Sequence, residues 1–576
     1  MKEKQKIITR HLEYIYPDAD LTPLAKRCLD AFGVGKKNAK PRFSALWDQK
    51  DAVMITYGDT FVIEGEKPLR TLKHFLDTYL KDSLTGVHIL PFFPYTSDDG
   101  FAVQDYDQVR PDLGNWEDIE KIAKDYRFMG DLVVNHASGS HKWFKEFEDA
   151  QEPGKRYIKT AQPDDDLSHV VRPRPFALLR PTVTKEGTKY VWCTFSHDQV
   201  DLNFSNPDLL VEMLAIMGRY IDHGVRIFRL DAVAFLWKEA GTSSIHLPQT
   251  HEIVKLMRSL SDMRDETIIL ITETNVPNHE NLQYFGNGNE AHVVYNFSLP
   301  PLLLHALLTG RSEHLRHWAS SMPPLQNGCT YLNFTASHDG IGLRPVDGLL
   351  SQNDIDLLLN TVEVFGAQVT TRTSREGVEK PYEMNITYFD ALKGTIQGAD
   401  HLQVERFVAS QSVMMSLQGI PAFYVHSLLG TPNDYEKLKQ TQHNRSINRS
   451  QLDFDETATK LADQHSSTAR VFNEIRRRLN IRINQAAFHP DATQYLMQPQ
   501  SGFFGFIRQH KGQGQFIYSV TNLQKTDRPL SLFDLNLDKN ENWVDLITDQ
   551  DITDPIGDLI FSPYQTVWLT QQQFAN

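Results

Sequence analysis

Four places in the chain set acidic or imidazole groups at the end of short runs of β-forming residues. They are Asp131 and Asn135-His136 in FMGDLVVNH, Arg229 and Asp231 in VRIFRLDAV, Glu273 in TIILITET, and His338-Asp339 in TYLNFTASHD. Taken singly, each is ordinary. A strand-end carboxylate often caps the next helix, and a lone His is more often packed than catalytic. Taken together they are not ordinary. Three carboxylates at the same end of three strands converge on one mouth, where they repel each other and shift each other's pKa. The chemistry that needs such an arrangement is glycoside transfer with retention, in which a carboxylate nucleophile and a carboxylic acid stand about 5–5.5 Å apart. Asp231 is the candidate nucleophile, because Arg229, two residues earlier on the same strand face, would hold it ionised. Glu273 is the candidate acid, its pKa raised by the neighbouring charge. Asp339 is placed to bind sugar hydroxyls and favour a distorted ring.

Such residues need a scaffold that presents strand ends side by side. Eight β-rich runs recur, at 52–60, 86–93, 128–136, 225–233, 267–274, 292–298, 330–339 and 420–430. Amphipathic stretches separate most of them, including NPDLLVEMLAIMGRYIDHG, with Pro207 near its start and Gly224 behind it, and LPQTHEIVKLMRSLSDM. Near-continuous apolar strands alternating with helices mean a parallel sheet. Eight of them predict an α/β fold, a closed (β/α)8 barrel with its chemistry at the C-terminal strand ends. Two long interruptions, 137–204 and 341–395, are of a length usually tied to function. After residue 488 the pattern changes to GFFGFIRQH, QFIYSVTNL and QTVWLTQQ, the mark of a small all-β domain. The expected division is therefore a barrel from 1–136, 205–340 and 396–487, two insertions, and a C-terminal β domain at 488–576.

The formal net charge of −14 excludes nucleic acid and anionic membrane as main partners, since both require a basic footprint. Cys28, Cys193 and Cys329 are far apart with no CxxC, which argues against a thiolate metal site and fits a reducing compartment. The N-terminus, MKEKQKIITRHLEYIYPD, has no apolar run of signal-peptide length, and no segment approaches the length of a membrane span. The chain reads as soluble and cytoplasmic.

The strand ends DLVVNH, RIFRLDAV, ITET and ASHD resemble, in order and spacing, the four signature regions of the α-amylase superfamily. The resemblance implies a B domain inserted after the third barrel strand, a B′ loop at 341–395 and a β-sandwich C domain. A narrower set, HILPFFPYTSDDGF, RPRP, KEAGTS, FSLPPLLLHAL, SHDGIG, PYEMN and NRSINR, resembles the sucrose phosphorylase subfamily, whose members move a glucosyl group to inorganic phosphate with net retention. Carried over, Asp98, Phe101, His136, His338, Asp339 and Arg445 would hold the glucosyl ring. Phe195 and Phe235 would be aromatic walls, the second a Tyr in sucrose phosphorylases. Arg174 and Tyr382 would meet phosphate, an Arg beside a hydroxyl donor being a sensible anion clamp. Glu383 stands where sucrose phosphorylases carry Gln, and is placed with them on the phosphate and acceptor side. No cofactor, metal or calcium site is expected, because no loop has a calcium signature. The implied partners are a small glucoside, inorganic phosphate and glucose 1-phosphate, with a homodimer as the only macromolecular assembly considered.

The substrate is less constrained. The longer 341–395 segment, SIHLPQTH and ITETNVP look more like relatives acting on glucosylglycerate or glucosylglycerol. A glycerate carboxylate would need a cation, for which Arg344, Arg372, Arg375 and Lys380 are available. Relatives acting on glucosylglycerate usually carry a loop closer to NPDG where this chain has SREG, which tilts the sequence reading to 2-O-α-glucosylglycerol. The rivals are glucosylglycerate, sucrose or sucrose 6′-phosphate phosphorolysis, an α-glucosidase or transglucosylase without a phosphate clamp, and a non-catalytic sugar-binding relative. The last would have lost Asp231 or Glu273, and both are present.

Overall fold

The computed structural model describes residues 2–36, 45–173, 176–373, 379–510, 512 and 514–574. Its centre is a closed, all-parallel barrel. In chain order the staves are β1 (Val53–Thr56), β2 (Gly86–Ile89), β3 (Arg127–Val133), β4 (Val225–Asp231), β5 (Ile269–Thr272), β6 (Val293–Tyr295), β7 (Thr330–Asn333) and β8 (Ile420–Tyr424). Each falls in one of the eight runs expected from sequence, β3 beginning one residue earlier, at Arg127. The sheet closes by pairing β1 with both β2 and β8. Nearly every stave residue is buried, because the interior is filled by side chains and the outside is covered by helices.

Helix Pro207–Asp222 has Pro at its first turn and the Asn206 side chain accepting from the Asp208 N–H at 3.0 Å. It stops before Gly224, whose φ of 101° lets the chain turn back into β4. Helix Pro248–Arg264 links β4 to β5. Two N-terminal helices, Lys2–Ile15 and Leu21–Phe32, pack on these two; the Tyr16 hydroxyl donates to the Phe204 carbonyl at 2.7 Å.

The 137–204 stretch has more regular structure than its composition suggests. Strands Leu179–Thr184 and Gly187–Trp192 form an antiparallel hairpin joined by Thr160–Ala161, over a small core of Val170, Leu178 and Trp192. One face of the hairpin is exposed and the other packs on that core. Within 341–395, Ile341–Gly342, Glu379–Asn385 and Gln368–Thr373 make a three-stranded antiparallel sheet behind helix Gln352–Val364. The C-terminal region is an antiparallel β domain with a core of its own, including Phe503, Val520, Trp543 and Leu569. Among the described residues no helix is long and apolar enough to cross a membrane.

Candidate active site

The barrel register decides which side chains meet. Arg229 pairs across β3/β4 with Asp131, and Leu230 pairs across β4/β5 with Thr272. Asp231 and Glu273, one residue further on, therefore leave the barrel at one level. The Arg229 guanidinium lies beneath them. Its Nη1 is 2.6 Å from Asp231 Oδ1 and 2.5 Å from Asp131 Oδ1, and its Nη2 is 3.9 Å from Glu273 Oε2. Asp131 is held from its other side by His88 Nε2 at 2.6 Å. Behind Asp231 the backbone turns through Ala232 in a left-handed conformation (φ 51°, ψ 28°), a strain that side-chain-bearing residues adopt only where the surroundings enforce it. That turn aims the Ala232 N–H at Glu273 Oε2, 3.1 Å away.

Burial is the largest influence on both carboxyls and pushes each of them up to about 7 against the pull of Arg229, so geometry and not this rise tells them apart. The neighbouring negative charges add to this but are secondary, so the rise expected from charge alone has a different main cause. Two groups so close titrate as a pair. Asp231, in direct contact with the guanidinium, keeps the charge; Glu273, 3.9 Å from it, keeps the shared proton.

Asp339 stands on the loop beyond β7, which ends at Asn333 rather than at the His-Asp pair. Burial opposes its ionisation, yet Arg445 above all, with Arg449 and Arg229, holds it well below the usual carboxylate range. Arg445 Nη1 is 2.5 Å from Asp339 Oδ1. The segment 444–449 braces this loop. The Asn448 amide donates to the Ser337 and Asp339 carbonyls, and Arg449 Nε donates to the His338 carbonyl at 2.8 Å. Burial drops the His338 pKa to about 3, so its ring is neutral, and it stacks on Phe101 with centroids 4.9 Å apart. His136, also lowered by burial, lies 2.9 Å through Nε2 from the Phe101 carbonyl. Asp98 sits at the pocket edge and accepts from Gln199 Nε2 at 3.2 Å. Phe195 and Phe235 meet edge to face at 5.5 Å.

Asp98, Phe101, His136, Phe195, Arg229, Asp231, Phe235, Glu273, His338, Asp339, Tyr382 and Arg445 all border one open-mouthed cavity. Of the two remaining expected residues, only Glu383 is described, and it does not border the cavity. Arg174 lies outside the described residues, although Pro173 lines the cavity. Glu383 requires a correction. Its carboxylate grips Arg445 through two 2.9 Å hydrogen bonds instead of bordering the acceptor side. The strand Glu379–Asn385 is irregular here: Glu383 pairs with Thr370 and Pro381 with Thr371, so Tyr382 is the extra residue of a β-bulge, which re-aims side chains locally; Tyr382 borders the cavity while the Glu383 carboxylate meets Arg445.

Of the four cations considered for a glycerate carboxylate, Arg344 lines the cavity, 13% exposed. Burial, then the nearby Arg372, pulls its pKa down; Glu280, 4.0 Å away, compensates only in part. Arg372 is 3.9 Å from Asp347, Lys380 is exposed, and Arg375 lies outside the described residues. Sequence reasoning did not single out Gln199, Asn275 or the His88–Asp131 pair. Asn275, two residues after Glu273 on the cavity side, carried a usable signal in that spacing; Gln199 and His88 carried none without the register.

The catalytic-domain model of the α-amylase family matches residues 73–335. The glucosylglycerate phosphorylase of Allomeiothermus silvanus is 42% identical, covering 91% of each chain. That of Escherichia coli is 37% identical over 98% of this chain and its own full length. The glucosylglycerol phosphorylase of Marinobacter adhaerens is 30% identical, over 66% of this chain and 78% of its own. Among solved structures, a sucrose 6F-phosphate phosphorylase from Thermoanaerobacter thermosaccharolyticum superposes with a TM-score of 0.72 at 22% identity, covering 89% of this chain and 98% of the other, and so shares the fold.

Proposed function

The chain belongs to the α-amylase superfamily, as a glucosyl phosphorylase of its sucrose phosphorylase-like branch, and on that premise we propose that its glucoside is 2-O-α-glucosylglycerate. The observation that carries this choice is Arg344, a largely buried and incompletely paired cation on the wall of the cavity. A cation so placed favours an anionic leaving group over a neutral one. The glycerate-specific relatives also match this chain at higher identity and over more of its length than the glucosylglycerol-specific one does. The sequence-level tilt to glucosylglycerol rests on SREG at 374–377, outside the described residues, and keeps that glucoside as the second reading.

In this reading Asp231 attacks the anomeric carbon while Glu273 gives its proton to the departing glycerate oxygen. A glucosyl ester on Asp231 and free glycerate result. Phosphate then enters the vacated side, gives a proton to Glu273 and displaces Asp231, releasing α-glucose 1-phosphate. Arg445, tied to Glu383, fixes Asp339 against the sugar hydroxyls. Arg174 and Tyr382 hold the entering phosphate. The test is phosphorolysis of glucosylglycerate, glucosylglycerol and sucrose side by side, scored as glucose 1-phosphate formed. A clear preference in kcat/KM for glucosylglycerate is expected; preference for either neutral glucoside would overturn the substrate assignment.

A further inference from the structure

Beyond Glu273 the chain continues as Thr274, Asn275 and Val276, all on the cavity wall. The Asn275 amide oxygen is buried and meets no hydrogen-bond partner among the described residues. A buried acceptor left without a donor costs free energy, and such atoms are rare unless something else supplies the donor. Opposite it packs Gly342, where a Cβ would stand 3.1 Å from both the amide oxygen and the amide nitrogen. That glycine keeps the amide face uncrowded. It lies two residues before Arg344 and, in Ile341–Gly342, pairs with the strand that carries Tyr382. One side of the cavity therefore offers an unmatched acceptor close to the chain segment that carries an under-compensated cation.

We infer that Asn275 is a specificity-determining residue whose amide oxygen accepts a hydrogen bond from the free hydroxyl of the leaving polyol acid, while Arg344 takes its carboxylate. This rests on the glycerate reading above. A glycerate linked through O2 has one free hydroxyl, on C3. The pair Asn275 and Arg344 thus reads the two groups that distinguish glycerate from simpler acceptors. A site built to bond a substrate hydroxyl discriminates strongly against the analogue that lacks it, because the site's own polar group is then left unpaired.

The experiment runs the reaction in the synthetic direction with glucose 1-phosphate as donor. D-Glycerate and D-lactate are compared as acceptors, since lactate differs only in lacking the C3 hydroxyl. The wild-type enzyme is expected to favour glycerate in kcat/KM by roughly tenfold or more. In Asn275→Ala that ratio should collapse towards one; Asn275→Ser, which restores a short acceptor, should recover part of it. A residue that merely supported the fold would lower both acceptors together and leave the ratio alone, which would overturn the inference. So would a wild-type enzyme that uses lactate as well as glycerate. An enzyme that ignores both acids but glucosylates glycerol would refute the glycerate reading. The comparison of glycerol with 1,2-propanediol then tests Asn275 by the same ratio, an unchanged ratio in Asn275→Ala again overturning it.

Discussion

Replacing Arg344 by Gln removes the charge and keeps much of the length and polarity of the side chain. The wild-type guanidinium is 13% exposed and has Glu280 at 4.0 Å, outside hydrogen-bond range, with Arg372 opposing it. A ligand carboxylate reaching Arg344 would not have to displace a tight ion pair. It would gain a charge-assisted hydrogen bond worth about 1.5–3 kcal/mol, or roughly one to two decades in binding. Neutral glucosylglycerol gains no such bond. In Arg344→Gln the kcat/KM ratio of glucosylglycerate to glucosylglycerol should therefore fall by roughly ten- to hundredfold. The assay is initial-rate phosphorolysis of each glucoside at saturating phosphate, with the phosphate KM measured in parallel. A ratio unchanged within about threefold, less than half a decade and so below 1 kcal/mol, would refute the assignment. A phosphate KM that rises while the ratio stays constant would move Arg344 to the phosphate side instead.

Asp231→Asn removes the nucleophile's charge while keeping its shape, so turnover should fall by many orders of magnitude and no glucosyl-enzyme should accumulate from glucosyl fluoride; activity within about tenfold of wild type would exclude Asp231. Glu273 must be protonated to act as acid, and burial sets its pKa near 7. The kcat/KM for glucoside cleavage should thus decline as pH rises through about 7, and Glu273→Gln should abolish that limb while sparing glucosyl fluoride, which needs little protonation to depart. Equal loss on both donors would make Glu273 structural. Arg174→Ala should raise the phosphate KM by roughly one to two decades while glucosyl-enzyme formation persists; unchanged phosphate dependence would remove Arg174 from the site.

The contrast between Tyr382 and Glu383 shows what the chain makes legible and what it does not. The barrel could be read because each stave is a short apolar run, and the catalytic candidates because their positions at strand ends need no knowledge of pairing. Asp231 and Glu273 share a level since Leu230 pairs with Thr272. That fact belongs to the register, and so does the placement of Asp131 and His88 beneath Arg229. The place of Glu383 also depends on register. A bulge at Tyr382, where Glu383 pairs with Thr370 and Pro381 with Thr371, breaks the alternation of the strand, and nothing in PYEMN marks it; Tyr382 borders the cavity while Glu383 meets Arg445. The consequence is chemical. Asp339, Arg445 and Glu383 form an acid–base–acid triad in which the guanidinium is shared between the buried Glu383 and the partly exposed Asp339. With Gln at 383 the Arg445 charge would fall to Asp339 alone. In the proposed mechanism the acid at 383 would let Arg445 fix the position of Asp339 while drawing off part of the positive charge, so that Asp339 would accept more strongly from sugar hydroxyls.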